Sequence, residues 1–273
     1  MGIFDKLKSA IAASKQPEPV KLPEPQKAPV LSYAEQEERY KQNRMAAFRE
    51  ELAKLRPVEI KLSSEPHNRN QALHFSELSP KNITKSTSLA KLRDFVALDV
   101  ETTGIKTGGT DIIEVSAIRF HDFEPAELFT TLIRPRKPIP PEASAVNNIT
   151  DEMVQNAPKF CEIVPALTDF LGKLPIVAHN AEFDLKHLYV NGLDAADERS
   201  AVYDTLQLSK KFCDKDIIDH KLATVCREYN IVIDGAHRAT ADALACGLVF
   251  VKMLIQARDD CCSISDLLEA SQP

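Results

Sequence analysis

Asp99 and Glu101 close the apolar run Phe95-Val-Ala-Leu-Asp-Val100. On an extended strand, residues two apart project from the same face, so the two carboxylates stand side by side. Paired anions at that distance repel one another. Divalent cations between them relieve the repulsion, and hard oxygen ligands select Mg²⁺ or Mn²⁺ over zinc. A bare D-x-E tripeptide is common by chance, and Asp122-Phe-Glu124 is a second copy. Context separates the two. Asp99 and Glu101 end a buried-type strand and lead into Thr102-Thr103-Gly104, a tight polar turn with backbone N–H groups to offer, whereas Asp122 falls in a hairpin-like turn.

Two further stations carry chemistry. His179-Asn-Ala-Glu-Phe-Asp184 follows a short apolar strand and opens a helix, which puts Asp184 in the first turn, where the helix dipole alone also favours a carboxylate. His237-Arg-Ala-Thr-Ala-Asp242 leads into a long alanine-rich helix. If both of its end residues were helical they would stand about 140° apart around the axis. His237 must therefore precede the helix, where it can swing beside metals while Asp242 holds one. Both stations fit the pattern H-x-A-x-x-D, so spacing leaves open whether His179 or His237 is the base, and either histidine could equally be a turn or core residue.

The elements that must position these residues follow from periodicity. Strands are predicted at 95–100, 112–120 and 128–134, spaced for antiparallel pairing, with others at 175–178 and 201–203. Helical periodicity marks 161–171, 181–191, 205–212, 221–229 and 240–257, with a short helix starting near Thr150-Asp151. Strand and helix alternate after residue 150, which predicts an α/β domain with a mixed sheet over residues 92–258. Ahead of it, residues 1–31 combine a short amphipathic stretch (Ile3, Phe4, Leu7 and Ile11 against Lys6, Lys8 and Lys15) with a proline-rich extended spacer. Ser32 and Glu35 form a capping-box pattern opening a helix over 32–56, with Met45, Phe48, Leu52 and Leu55 on one stripe and Pro57 ending it. Residues 57–91, with His67 and His74, read as a polar linker, and 259–273 as a C-terminal tail. The stripe within 33–56 could bind a protein partner or pack on the domain, and the stretch 1–15 is a second candidate docking segment. Membrane contact through 1–15 is not the favoured reading.

The formal net charge is −6. Its distribution is uneven: residues 1–90 hold 15 Lys/Arg against 11 Asp/Glu, leaving 19 against 29 for the rest. A cation site built from four carboxylates accounts for part of the C-terminal acidity, and bound metals would offset it locally. Net acidity is thus no veto on nucleic-acid chemistry. The six cysteines lack CxxC spacing and read as reduced thiols, with Cys161, Cys213, Cys226 and Cys246 in apolar helical patterns. The sequence has no secretory signal and no run of 18 apolar residues, so the expected location is cytoplasmic.

Taken together, Asp99-Val-Glu101-Thr-Thr-Gly104, Ile149-Thr-Asp-Glu-Met-Val154, Ala178-His-Asn-Ala-Glu-Phe-Asp184 and Ala236-His-Arg-Ala-Thr-Ala-Asp242 resemble, in order and spacing, the motifs of the DEDDh exonucleases. These belong to the ribonuclease H-like superfamily and include the proofreading ε subunit of bacterial DNA polymerase III. The resemblance covers 92–258 and implies a ribonuclease H-like mixed sheet flanked by helices, preceded by a largely extended or helical extension. It implies that Asp99, Glu101, Asp184 and Asp242 hold two Mg²⁺ or Mn²⁺ ions, that His237 is the general base, and that His179 is not catalytic. It also places Thr102, Thr103, Gly104 and Phe183 against the terminal nucleotide. The implied activity is 3′-to-5′ removal of nucleoside 5′-monophosphates from single-stranded DNA or RNA ends, in proofreading, repair or replication. The alternatives are an RNA-trimming enzyme of the same fold, or an inactive nucleic-acid-binding module that recruits partners through its N-terminal residues. This chain departs from the family at Asn147-Asn148, where relatives often carry His-Gly. The extension also precedes the domain rather than following it, which argues against membership of a replicative polymerase.

Overall fold

The computed structural model describes residues 32–63, 87–106, 109–195 and 201–272. Contacts divide the chain after Glu38, and Arg39–Pro273 form one compact unit. The expectations for residues 1–31, His67 and His74 fall outside the described residues.

The sheet has six strands: β1 (Arg56–Pro57), β2 (Phe95–Thr102), β3 (Ile112–His121), β4 (Glu124–Leu132), β5 (Ile176–Ala178) and β6 (Val202–Asp204), in spatial order β1-β4-β3-β2-β5-β6. β2, β3 and β4 form an antiparallel meander, while β5 and β6 add in parallel beside β2 and β1 adds in parallel beside β4. The sheet is mixed, as the sequence predicts. β4 begins four residues before the predicted start. Its first half, Glu124-Pro-Ala-Glu127, carries no apolar alternation. It is a strand because the Asp122-Phe123 turn, with φ of 54° and 68°, folds it directly back on β3.

The helices are α1 (Tyr33–Lys54), α2 (Pro141–Asn147), α3 (Asp151–Val154), α4 (Phe160–Leu171), α5 (Ala181–Asn191), α6 (Thr205–Phe212), α7 (Leu222–Glu228), α8 (Ala239–Asp259) and α9 (Ile264–Ala270). Ser32 and Glu35 form the expected reciprocal cap of α1. Strand alternation sorts the core into two layers. Phe95 and Ala97 of β2, with Ile118 and Phe120 of β3, pack against α8, α6, α7 and α9. Val96, Leu98 and Val100 face the opposite way, toward α4 and Leu188 of α5. Asp99 and Glu101 continue the parity of Phe95 and Ala97, so the sheet aims them at the α8 side. α8 is apolar enough for its length to cross a membrane, but most of it is buried against this sheet, which is why its sequence is so apolar. It lies close enough that a Cβ at Gly247 would come within 2.3 Å of the Phe120 ring and 3.1 Å of Ala97 Cβ.

The outer boundaries differ from the sequence reading. Phe48 and Leu55 are buried in the α8 layer with Leu52 beside them, so of its two expected uses the stripe packs on this domain. Residues 57–63, read as the start of a linker, belong to the fold. The Val58 N–H donates to Leu128 O, Val58 and Ile60 pack on the α4 layer, and the Ser63 N–H donates to Glu162 O. The tail is also structured: Ser263 and Asp266 cap α9, and Ile264 and Leu267 are fully buried. Both errors have one cause. A short segment that buries one or two side chains against a finished domain has too little periodicity to register. Cys161 is exposed rather than packed, whereas Cys226 and Cys246 are buried, and all six thiols are free.

Candidate active site

The carboxylates meet where β2 ends. Asp99, Glu101 and Asp242 each offer a carboxylate oxygen, and the three atoms lie within 4.8 Å of one another. Two come from one strand and the third from the first turn of α8, so the close seating of α8 on the sheet is what closes the cluster. Asp184 lies outside that set of three but adjoins it: it is buried, and its Oδ1 accepts the Val100 N–H at 3.1 Å, against the peptide next to Asp99. Its place is fixed from behind by Asp204, whose carboxylate accepts the N–H groups of Asn180 and Ala181 at the start of α5 and of Leu206 at the start of α6. Asn180 supplies the left-handed residue (φ 66°) that turns β5 into α5.

The electrostatics are those of a site built for cations. Burial, then Asp184, Asp242 and Glu101, hold the Asp99 carboxyl well above the usual carboxylate range. Burial also raises Asp184 strongly, against the pull of the Val100 N–H. Burial, then Asp242 and Glu114, push Glu101 up to about 7, while the Asn147 amide and Arg238 favour its charged form. Asp242 is raised by burial and steadied by the His237 N–H. Crowded anions with this little water favour protonation unless positive charge enters among them. An all-carboxylate donor set suits a hard divalent ion, so the residues present fit Mg²⁺ or Mn²⁺.

His237 precedes α8, as required. Its backbone is left-handed (φ 64°), its ring is exposed, and its N–H donates to Asp242 Oδ2 at 3.0 Å. His179 is enclosed: its ring nitrogens contact Thr205 Oγ1 at 3.0 Å and His220 O at 2.9 Å, and burial lowers its pKa. It orders the entry to α5 and stands apart from the carboxylates' hydrogen bonds.

Thr102 and Thr103 shape the turn they begin. Thr102 Oγ1 donates to Gly104 O, while the Thr103 N–H donates to Asp111 O and Thr103 Oγ1 accepts the Asp111 N–H. A side chain on Gly104 would press within 3.2 Å of Thr110 Cγ2, so the loop is built close. Phe183 is half-buried on α5, its ring centroid 4.3 Å from that of His187, whose Nε2 contacts Thr110 Oγ1. The strand-end loop and α5 thus form one wall.

Three residues of the surroundings make contacts that the sequence reading did not assign, Asn147 having entered it only as a departure from the family. Asp204 is one. Asn147 is another: it is buried at the end of α2, its Nδ2 lies 3.5 Å from Thr102 O, its Oδ1 accepts the Ile149 N–H, and it favours the charged form of Glu101. The third is Glu114, whose only sequence signal was a lone acid inside the apolar run Ile112-Ile-Glu-Val-Ser-Ala-Ile118. Buried acids in such runs persist when paired, and Glu114 meets Arg238 at 2.6 Å.

Comparison with known proteins agrees with this geometry. Residues 96–250 match the family model of the RNase T exonucleases. The chain is 35% identical over 164 residues to the DNA polymerase III subunit epsilon of Treponema pallidum, covering 59% of this chain and 76% of that one. It is 32% identical over 168 residues to the PolC-type DNA polymerase III of Bacillus subtilis, covering 60% of this chain but only 12% of that much longer protein. Among solved structures, exonuclease X in complex with 5′-overhanging duplex DNA shares the fold, with a TM-score of 0.52, 21% identity, and coverage of 65% of this chain and 99% of that one. The zinc-bound E. coli ExoI–ssDNA complex does so with a TM-score of 0.51, 19% identity, and coverage of 61% and 41%. With the four motifs in order, the carboxylates gathered at one strand end, and more than half its length matched, the chain belongs to the RNase T exonuclease family.

Proposed function

We propose that residues 92–258 remove nucleotides one at a time from the 3′ ends of DNA, releasing nucleoside 5′-monophosphates, with Asp99, Glu101, Asp184 and Asp242 as metal ligands and His237 as general base. The observation that carries this reading is the 4.8 Å grouping of Asp99, Glu101 and Asp242, three acids whose mutual repulsion a shared cation would relieve. Bound there, a pair of Mg²⁺ or Mn²⁺ ions would polarise the phosphate and stabilise the charge on the attacking and leaving oxygens. The chain's own residues do the rest. His237, exposed at the mouth of the cluster, accepts a proton from the attacking water, whose oxygen bonds to phosphorus as the bond to the 3′ oxygen of the preceding nucleotide breaks. Solvent returns a proton to that 3′ oxygen. The wall formed by the Thr102–Gly104 turn and Phe183 takes the terminal nucleotide, with the ring offering a stacking face.

DNA is favoured over RNA as substrate because the curated relatives described above are DNA polymerase III components. The same kinship supports a cytoplasmic setting within a bacterial-type replication or repair process, with single-stranded 3′ ends as the partner. The test uses the purified 273-residue chain with 5′-labelled single strands, 3′-free or 3′-blocked, of DNA and of RNA, in Mg²⁺ or EDTA. Shortening of the 3′-free DNA in Mg²⁺ alone, abolished in Asp99→Ala, is the expected result. No shortening, or an Asp99→Ala protein as active as wild type, refutes the proposal, and faster shortening of RNA reverses the substrate assignment.

A further inference from the structure

Glu114 sits on β3 directly opposite Glu101 in the strand register, and it is 3% exposed. A fifth acid so near the cluster invites reading as another metal ligand, but its oxygens are already engaged. Oε1 accepts Arg238 Nη2 at 2.6 Å, and Oε2 accepts Arg238 Nε at 3.0 Å and the Ala239 N–H at 3.0 Å. A two-pronged guanidinium–carboxylate pair fixes direction as well as distance. One residue further on, the Thr240 hydroxyl lies 3.1 Å from both Ser116 Oγ on β3 and Thr130 Oγ1 on β4. Arg238, Ala239 and Thr240 are therefore each tied to the sheet.

These are the residues that run from His237 toward Asp242. His237 holds a left-handed backbone (φ 64°) without being glycine, and Arg238 returns to an extended one (φ −130°). A side-chain-bearing residue keeps such a conformation only when its surroundings impose it. The His237 N–H to Asp242 bond closes the turn on one side, and the Glu114–Arg238 fork holds it on the other. Arg238 also places a positive charge beside an acid that would otherwise add its repulsion to that of Glu101.

We propose that Glu114 and Arg238 are positioning residues for the reaction: their paired contact sets the direction from which the His237 imidazole addresses the scissile phosphate. This inference rests on the role given to His237 above. The bland competitor is a helix anchor that merely steadies α8, a duty the Thr240 hydroxyl contacts could perform alone.

A double-mutant cycle separates the two. Rates on a labelled single strand in Mg²⁺ are measured for wild type, Arg238→Ala, His237→Ala and the double variant, with melting curves for each. Misplacement by about 1 Å can cost on the order of 100-fold, so Arg238→Ala is expected to lower kcat roughly 10- to 100-fold while KM moves less than about threefold. With His237 already removed, the same change should cost less than about threefold, because the group being positioned is gone. Glu114→Gln, which keeps the shape and loses the charge, and Arg238→Lys, which keeps the charge and loses the fork, should each show the same dependence on His237. They also supply the answer if Arg238→Ala melts too low to assay. Losses of equal size with and without His237, or variants with wild-type kcat, overturn the positioning role. A wild-type protein that shortens no strand fails earlier, at the nuclease reading, and the control arm distinguishes that outcome.

Discussion

Gly247→Ala should be a damaging substitution although it adds one methyl group to a helix. On helix propensity alone, alanine in place of glycine is worth about 1 kcal/mol of stabilisation. Here the new Cβ would lie 2.3 and 2.4 Å from two atoms of the Phe120 ring and 3.1 Å from Ala97 Cβ. Comfortable carbon contacts begin near 3.5 Å, so about 1 Å of separation must be found. Phe120 cannot easily supply it, because its ring stacks on Phe95 at 4.6 Å, and Phe95 meets Phe250 of α8 edge-on at 5.1 Å. α8 must lift instead. Overpacking of this kind costs about 1–3 kcal/mol, and more where neighbours are rigid. Net of the propensity gain, a loss of up to about 2 kcal/mol is expected, which is up to roughly 8 °C in Tm for a domain of this size. The effect on chemistry should be larger, because Asp242 rides on the same helix and a lift of about 1 Å separates it from Asp99 and Glu101, with a rate loss on the order of 100-fold. Thermal melts and single-strand cleavage rates, taken well below the midpoint of either protein, measure both. Adding Phe120→Leu should recover part of the loss, since the offending ring edge is gone. A Gly247→Ala protein that melts at or above wild type and cuts at the wild-type rate would refute the claim that close seating of α8 sets the geometry of the cluster.

Glu101→Gln should stabilise the metal-free protein in a pH-dependent way. Between the ordinary value of 4.5 and about 7, the folded protein holds a proton at Glu101 that the unfolded chain has released, so stability falls as pH rises through that window. The glutamine variant escapes this loss, gaining at most about 3 kcal/mol over wild type at pH 8 in EDTA and nothing near pH 4; melts showing the same gain at both pH values would contradict the electrostatic account. Phe48→Ala, at a side chain 2% exposed, should lower stability by about 3 kcal/mol by emptying its socket beside α8, and a denaturant midpoint unchanged by it would contradict the packing of α1 on this domain.

The parts of this fold that were legible in the sequence are those whose burial is complete. β2 and β3 announced themselves because nearly every residue in them is inside, and α8 because its packed length left room for little but small and apolar side chains. Asp99, Glu101 and Asp242 were legible because each ends or begins such an element, and Asp184 because it opens a helix directly after the buried β5. What escaped had one-sided or single-residue burial. α2, in Pro141-Glu-Ala-Ser-Ala-Val-Asn147, has no apolar stripe and buries chiefly Asn147, so its role beside Glu101 had no periodic trace. β1 is two residues long and exposed on both. Asp204 acts through backbone N–H groups that no side-chain pattern encodes, and Glu114 through an arginine 124 residues away, although an acid inside an apolar run was a signal available to be used.

The shortness of β1 has a further consequence. A sheet edge presents unpaired backbone groups that can recruit a strand from another molecule, and short edge strands and proline are two devices that blunt it. This edge has both. Pro57 has no N–H to donate, so a seventh strand arriving beside β1 would find one of its two residues without a donor. A shortened protein beginning at Leu92 would lose this guard together with α1, laying bare the flank of β4 and the hollow left by Phe48, and so should self-associate more readily than the chain that keeps them.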